Sequence, residues 1–568
     1  MTIGVMARKF RTEQLKEPRA RVVLPDPFYY LSNFETVVAS LNERYADLWS
    51  GEEQQFLAAY KGLPKPSRAL LVRMVMREGV LFRANRLKYP EIGETAAAVA
   101  PLVKVGWVDD EPKLDVGELQ RLITKEELLQ YFTWSRPYRN LTKPDLVAML
   151  RGQCPESRSF QAWCRDSGDR VYRLLVAPVC ERFRLMFFGN FHQDWSEFVL
   201  ADLGIFAYET ILPTAQSRPF RCRAEIEVFE RLHRCRELLE AKAAPDVVHA
   251  NLPPAPECDW LEERRQKTLF DIARAYEREG SRSSALAAYS ACTLGSARVR
   301  AIRLHERARR WETARALCLT AQETPADEAQ AQQLRRLLPR LNRRLGLPGH
   351  PAPRAASIPS FELLLEAPSA GCAVEYQVRD FLARQMPESA AIQYVENGLI
   401  NSLFGLLCWR AIFAPVAGAF FHDFHRGPAD LSSTRFYRCR EREFSECLAQ
   451  LESGEYRTAI RETYEQKAGL QSPFVAWGLL KPALLECALS CFPAAHLRLW
   501  FDWIARDVRT NRAGFPDLVQ FWPQQRRYRL IEVKGPGDRI QDNQRRLLEY
   551  CVHHQMPVSV CHVQWANQ

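Results

Sequence analysis

The sequence predicts a multidomain chain, mainly α-helical through its N-terminal and middle regions and α/β at its C-terminal end. Three observations predict it. The chain has 568 residues, and at about 100–200 residues per domain that allows roughly three to five domains. Apolar residues recur at helical spacing through much of residues 20–345. Near the C-terminus the pattern changes to strand 517–522, strand 528–534, helix 542–552 and strand 557–565. Hydrophobic residues are 47% and charged residues 26%, the balance of a globular protein rather than a disordered one.

The charge is clustered. The net is +10, from 78 Lys and Arg against 68 acids; 64 of those bases are Arg and 14 are Lys. Residues 61–90 hold +7, residues 296–345 hold +7 and residues 505–546 hold +5. These 122 residues carry +19, and the other 446 carry −9. Basic clusters on an otherwise acidic chain favour a polyanion such as nucleic acid. Arg-rich codon usage with solvated helix faces is the alternative source. The 16 Cys are scattered without a C-x-x-C pair, which fits neither a zinc site nor a disulfide framework. They read as reduced thiols of an intracellular protein, cytoplasmic or nucleoid-associated in a bacterium and nuclear in a eukaryote. Arg8, Lys9 and Arg11 lack a following apolar run, so no secretory signal is expected. Residues 398–421 are apolar, yet they contain Asn401, Arg410 and Pro415 and run into His422-Asp423. A buried helix is expected there, with no membrane partner.

Along the chain, residues 1–120 read as a helical domain. Residues 67–84 form an expected amphipathic helix, with Leu70, Leu71, Met74 and Leu81 toward one side and Arg68, Arg73, Arg77 and Arg83 elsewhere. Residues 121–155 contain two short helices, each starting at a Thr. Thr124 with Glu127 makes a capping box, and Pro144 after Thr142 sits in a first turn, where its missing N–H costs little. The joining loop carries Trp134, Arg136, Tyr138 and Arg139, and Lys143 follows. This basic, aromatic helix–loop–helix resembles a SAP module, a small DNA-binding fold. Ordinary helical packing is the other reading. Residues 156–260 form a helical linker region, with 244–257 Pro-rich. Residues 261–345 are Ala/Leu/Arg-rich helices, in which Tyr276, Gly280, Ala285 and Tyr289 have the spacing of a tetratricopeptide helix pair. His305, Ala308, Ala314 and Cys318 make a weaker second unit. Prolines at 348, 351, 353 and 359 mark a boundary before the last domain, 361–568, which is expected to open with helices.

The chemistry is in that last domain. Gly514-Phe-Pro-Asp517-Leu-Val opens one strand, and Ile531-Glu532-Val533-Lys534 lies on the next. Strand side chains alternate, so Glu532 and Lys534 share a face with Ile531 and Val533 behind them. Buried charges are costly unless paired or metal-bound. Asp517 can place its carboxylate beside Glu532, and two converging carboxylates repel unless a cation joins them. Oxygen donors without nearby His or Cys favour Mg²⁺ or Mn²⁺. This is the PD-(D/E)-x-K arrangement of metal-dependent nucleases. A structural Glu–Lys pair on an edge strand is the plainer alternative. Lys534 is the only Lys after Lys481; a Lys where the chain elsewhere writes Arg favours a role for a compact ammonium. His422 and His425 are a possible metal pair without a third ligand, so a surface or core role is expected.

Together Arg509-x-x-Arg512-x-Gly514-Phe-Pro-Asp517-Leu-Val519, Ile531-Glu532-Val-Lys534-Gly-Pro-Gly-Asp538-Arg539 and Gln544 resemble the virus-type replication–repair nuclease (VRR-NUC) domain of the Fanconi-associated nuclease family. Upstream, Glu396 opens the apolar helix Glu396-Asn-Gly-Leu-Ile-Asn-Ser-Leu-Phe-Gly405, as a Glu does in that family. A basic helical region, a SAP-like module and tetratricopeptide-like helices precede it in the family's order. No Cys/His cluster matches the ubiquitin-binding zinc finger of animal members, so the resemblance is to a bacterial-type member.

The resemblance implies an α/β restriction-endonuclease-like nuclease core and a structure-selective DNA nuclease that cuts near 5′ flaps, trims 5′→3′ and serves interstrand crosslink repair. It implies two-metal phosphodiester hydrolysis. Asp517, Glu532 and the Val533 carbonyl would hold one Mg²⁺ or Mn²⁺, and Glu396 would complete a second site. Lys534 would orient the attacking water or neutralise charge, and Gln544 would position water or DNA. Arg509, Arg512 and Arg539 would hold phosphates, which Arg fits bidentately. Arg68, Arg73, Arg77, Arg136, Arg139 and Lys143 are the remaining expected DNA contacts, on branched or flapped DNA. A monomer is favoured, with a DNA-dependent dimer as the alternative. A Holliday-junction resolvase, which needs a symmetric dimer, and a non-catalytic DNA-binding scaffold are the rival readings.

Overall fold

The computed structural model describes residues 26–566, except 155, 166, 194, 196–205, 212–216, 349–356, 368–372, 386, 388–389 and 423–424. Arg8, Lys9 and Arg11 lie outside the described residues, as does most of the proline-rich stretch around residue 353. The chain forms two compact units, Met1–Phe206 and Ala207–Gln568.

The first unit opens with helices Tyr29–Tyr45, Gly51–Gly62 and Lys65–Val75. The last of these corrects the helix expected over 67–84. It buries Leu70, Leu71 and Met74 but stops at Val75, because Gly79 at φ +89° turns the chain. Leu81–Arg83 is then a strand, antiparallel to Val171–Leu174, and Val108–Asp109 completes a three-stranded sheet. Arg83 therefore lies on no helix face. It is buried, held by Asp169 at 2.7 Å and by Glu127. Regions expected to be mostly helical thus contain strands of two to four residues, too short to show a period.

Residues 113–163 form their own small core of Leu119, Leu128, Leu146, Leu150 and Trp163. Thr124 Oγ1 accepts the Glu127 N–H at 3.2 Å and Glu127 Oε2 accepts the Thr124 N–H at 2.8 Å, the expected capping box. At Thr142 the reciprocal partner is Asp145, whose Oδ2 accepts the Thr142 N–H at 3.2 Å. The loop between the two helices is a 3-10 turn, Thr133–Tyr138.

In the second unit the expected linker is structured. Pro245–Asn251 is a helix with Val248 buried. Five helices follow, Asp259–Glu279, Arg282–Ala291, Gly295–Arg307, Trp311–Glu323 and Glu328–Arg344, each packed on the next. Ala285, Ala288 and Tyr289 are buried at the first of these contacts.

The C-terminal part begins with a strand, not with the expected helices. Strand β1 (Ser360–Leu365) is followed by helix α1 (Val374–Arg384), strand β2 (Ala391–Tyr394), helix α2 (Leu399–Leu407), strands β3 (Leu518–Trp522) and β4 (Arg527–Lys534), helix α3 (Asp542–His553) and strand β5 (Val558–Trp565). The sheet order is β1-β5-β4-β3-β2. Strand β5 runs parallel to β1 and β4, while β3 is antiparallel to β4 and β2. One face packs Val519, Phe521, Leu530 and Val560 onto a large helical core containing Leu403, Phe404 and Trp500. The other packs Leu518, Ile531, Val533 and Val563 with Val378 of α1. Helix α2 is buried throughout, and among the described residues no helix is long and apolar enough to cross a membrane.

Candidate active site

Asp517 immediately precedes β3, and Glu532 and Lys534 end β4. Pairing of Leu518 with Ile531 brings Asp517 beside Glu532. The Val533 N–H between Glu532 and Lys534 donates to Asp517 Oδ2 at 2.8 Å, and Lys534 Nζ lies 2.8 Å from Glu532 Oε1. All three charged side chains are buried, Glu532 completely.

Burial raises both acids, Asp517 to about 6 and Glu532 to about 8. Glu375 and Glu396 push Asp517 further up, Asp517 pushes Glu532 up, and Lys534 pulls both down. Neither Glu532 oxygen has a hydrogen-bond partner among the described residues; its contact with Lys534 is ionic. A fully buried carboxylate whose Oε2 has no partner among the described residues, beside a second carboxylate, fits a hard divalent cation. Among the described residues no three His, Cys, Asp or Glu side chains converge as a ready metal cage.

Glu396 stands at the edge of this pair. Val395 N–H donates to Asp517 O at 2.8 Å, which ties the end of β2 to the start of β3. The Glu396 side chain is exposed and accepts from the Tyr394 hydroxyl. Asn397, at φ +52°, presents Oδ1 to Gly514 N–H at 2.7 Å and Phe515 N–H at 3.0 Å. Asn401 Nδ2 donates to Asn397 O at 2.6 Å and Arg512 O at 2.8 Å. The start of α2 is thus stitched to the loop that delivers Asp517. Sequence reasoning passed over Tyr394, Asn397, Asn401 and Glu375. Only Asn397-Gly398 carried a local signal, as a turn dipeptide.

Arg509, in helix Val508–Asn511, and Arg539, shortly after β4, are exposed. Arg512 lies over the Phe474 ring, 5.8 Å from its centre. Arg426, not among the expected contacts, donates to Ser472 O at 2.9 Å on the same short segment. Gln544 Oε1 accepts the Gln541 N–H at 2.8 Å and so caps α3. His422 and His425 stack at 4.1 Å, and His425 Nε2 accepts the Phe421 N–H at 3.1 Å, a packing role.

In the first unit the expected DNA contacts divide. Arg68 pairs with Glu35 at 2.5 Å and Arg73 with Glu91 at 2.6 Å; Arg73 also stacks on Tyr30 at 3.7 Å. Lys143 donates to Gln120 O at 2.6 Å and Ile123 O at 2.7 Å. Each of those cations has a partner within the first unit. Arg77, Arg136 and Arg139 are exposed; Arg77 also donates to Arg86 O at 2.9 Å, and Arg136 and Arg139 flank the exposed Tyr138 in the sequence.

Comparison with known proteins agrees with this geometry. A VRR-NUC domain model matches residues 451–565, a FAN1 HTH domain model residues 28–109, and a Fanconi anemia-associated nuclease SAP domain model residues 113–163. The chain is 50% identical over 543 residues to the Fanconi-associated nuclease 1 homolog of Pseudomonas aeruginosa, covering 95% of this chain and 97% of that protein. It is 23% identical over 620 residues to the Arabidopsis thaliana homolog, covering 96% and 68%. A crystal structure of paFAN1 bound to 2-nt 5′-flap DNA with a gap superposes with a TM-score of 0.89 at 50% identity, over 96% of this chain and all of that one. A second, with a 1-nt flap, superposes at 0.87. The chain belongs to the Fanconi-associated nuclease family and is a metal-dependent DNA nuclease.

Proposed function

We propose that the enzyme cuts DNA at 5′ flaps and trims it 5′→3′, acting as a monomer with Mg²⁺ or Mn²⁺ in the repair of interstrand crosslinks. The Asp517–Glu532–Lys534 constellation carries the reading: two carboxylates raised by burial, Glu532 further by Asp517, with an ammonium beside them. The likeness to structures holding 5′-flap DNA supports the substrate. One chain contains the whole constellation, so cleavage needs no second subunit, unlike paired cutting of a four-way junction. Its functional divisions on this reading are 1–120, 121–155, 156–260, 261–345 and 361–568.

When bound, divalent cations acidify a water and stabilise charge on the leaving oxygen. Asp517, Glu532 and the Val533 carbonyl are the groups that would hold the first, and Glu396 the group that would complete a second site. Lys534 orients the attacking water or neutralises charge on the phosphate. A general-base role would first require it to lose its proton. Arg509, Arg512 and Arg539 hold phosphates, while Arg77, Arg136 and Arg139 hold a duplex arm.

The test is a cleavage assay on labelled flap, nicked, four-way and single-stranded DNA with Mg²⁺ or Mn²⁺. Wild type is expected to favour the 5′ flap, and Asp517→Ala is expected to cut nothing while binding flap DNA within a few-fold of wild type. Retained cleavage by that variant overturns the site. Equal cutting of the four-way junction by a sedimenting dimer favours the resolvase reading.

A further inference from the structure

We propose that Tyr394 is a positioning residue: its hydroxyl, donating to Glu396 Oε2, holds the Glu396 carboxylate where it can take the second divalent cation beside Asp517 and Glu532. This rests on the two-cation reading above.

The argument begins with repulsion. Glu396 is exposed, and its charge is felt at both Asp517 and Glu532. A flexible carboxylate so placed is driven outward by its neighbours whenever no cation joins them. Two groups oppose that. The Tyr394 hydroxyl donates to Glu396 Oε2, and Asn397 Nδ2 approaches Glu396 Oε1 at 3.4 Å, beyond good hydrogen-bond range. Tyr394 is therefore the stronger tether, and it leaves Oε1 for a metal.

Tyr394 is itself firmly held. It is the last residue of β2, paired with Leu518, one step from Asp517. Its ring packs 5.1 Å from that of Tyr376 on α1. Outer groups that orient a metal ligand typically contribute about 10–100-fold to affinity, and an exposed ligand on a flexible stem belongs in that range.

The test counts Mn²⁺ bound to the full-length chain, without DNA, from the electron paramagnetic resonance signal of the free ion. Wild type is expected to bind two ions and Glu396→Gln to lose the weaker. Tyr394→Phe keeps the ring and its packing. It is expected to keep the tighter site within about twofold and to weaken the second by about tenfold. The Mn²⁺ concentration for half-maximal flap cleavage should rise by a similar factor, with the saturated rate little changed. Two sites in wild type with an unaltered or tightened second site in Tyr394→Phe overturn the role of Tyr394 alone. A single site in wild type overturns that role and the two-cation reading together. Should Tyr394→Phe fold poorly, Tyr376→Phe reports the packing contribution, and it is expected to leave both sites unchanged.

Discussion

Asp517 and Glu532 are carboxylates that water would keep ionised and that the fold keeps out of water. In an unfolded chain both titrate near pH 4; in the folded, metal-free protein they rise to about 6 and about 8. Between these limits the native state holds protons that the unfolded state has released. Stability of the metal-free protein therefore falls as pH rises from about 4 to about 8. A divalent cation competes with those same protons. The rise in melting temperature produced by Mn²⁺ is expected to be larger at pH 8.5 than at pH 6, and an equal rise at both would contradict the pair as the metal site. Asp517→Asn keeps an oxygen to accept the Val533 N–H and removes the repulsion. It is expected to abolish cleavage while raising the melting temperature of the metal-free protein by about 2 °C. Lys534 poses a second question. An Arg there keeps the charge but spreads it over a planar fork next to a fully buried Glu532. Lys534→Arg is expected to bind flap DNA normally and to cleave it at least about 100-fold more slowly.

The loop and helix that deliver these side chains depend on close backbone approach. Gly514 adopts φ +101°, and a Cβ there would lie 2.8 Å from the Asn543 carbonyl, at the start of α3. Both the conformation and the contact exclude a side chain. Gly514→Ala is expected to cost about 2 kcal/mol or more and to displace Asp517, lowering the cleavage rate more than DNA affinity. Denaturant unfolding and single-turnover cleavage check the two halves. Gly405 makes only the packing demand inside α2, where a Cβ would meet Phe474 Cβ at 2.7 Å. How much of this was legible follows from the range of each signal. Strands β3, β4 and β5 and helix α3 showed their patterns over five or more residues, and their bounds came within a residue or so. Asp517, Glu532 and Lys534 were readable because strand alternation and one register place them together. Strand β2 spans only Ala391–Tyr394, and β1 follows a proline-rich boundary that masks its start. Tyr394 and Glu375 gain meaning only from pairing across more than a hundred residues, which no local pattern encodes. The helix over 67–84 was overextended because its arginines looked like one solvated face, whereas Gly79 ends it and Arg83 is buried against Asp169.

A nuclease acting on branched DNA must hold arms that one small site cannot reach, and the clustered charge supplies the means. The count of 78 Lys and Arg overstates the supply, because Arg68, Arg73, Arg83 and Lys143 are engaged by acids or carbonyls of the chain itself. Arg336, from the tetratricopeptide-like helices, is likewise drawn onto α3 by Asp542 at 2.5 Å. What remains exposed decides binding. In the first unit Arg77, Arg136 and Arg139 are the exposed members of the expected set, none of them near Asp517 in the sequence. Each phosphate contact on duplex DNA releases counterions and adds about 0.9 to the slope of log affinity against log salt. Replacing all three by Ala is therefore expected to flatten that slope by about 2–3 on 5′-flap DNA, and to weaken binding most at low salt. The saturated single-turnover rate and the cut position should stay as in wild type, because the carboxylates and Lys534 are untouched. Parallel salt titrations of wild type and the triple variant by fluorescence anisotropy check this. An unchanged slope would exclude all three as phosphate contacts. A loss of saturated rate with the slope intact would instead place them in shaping the fold.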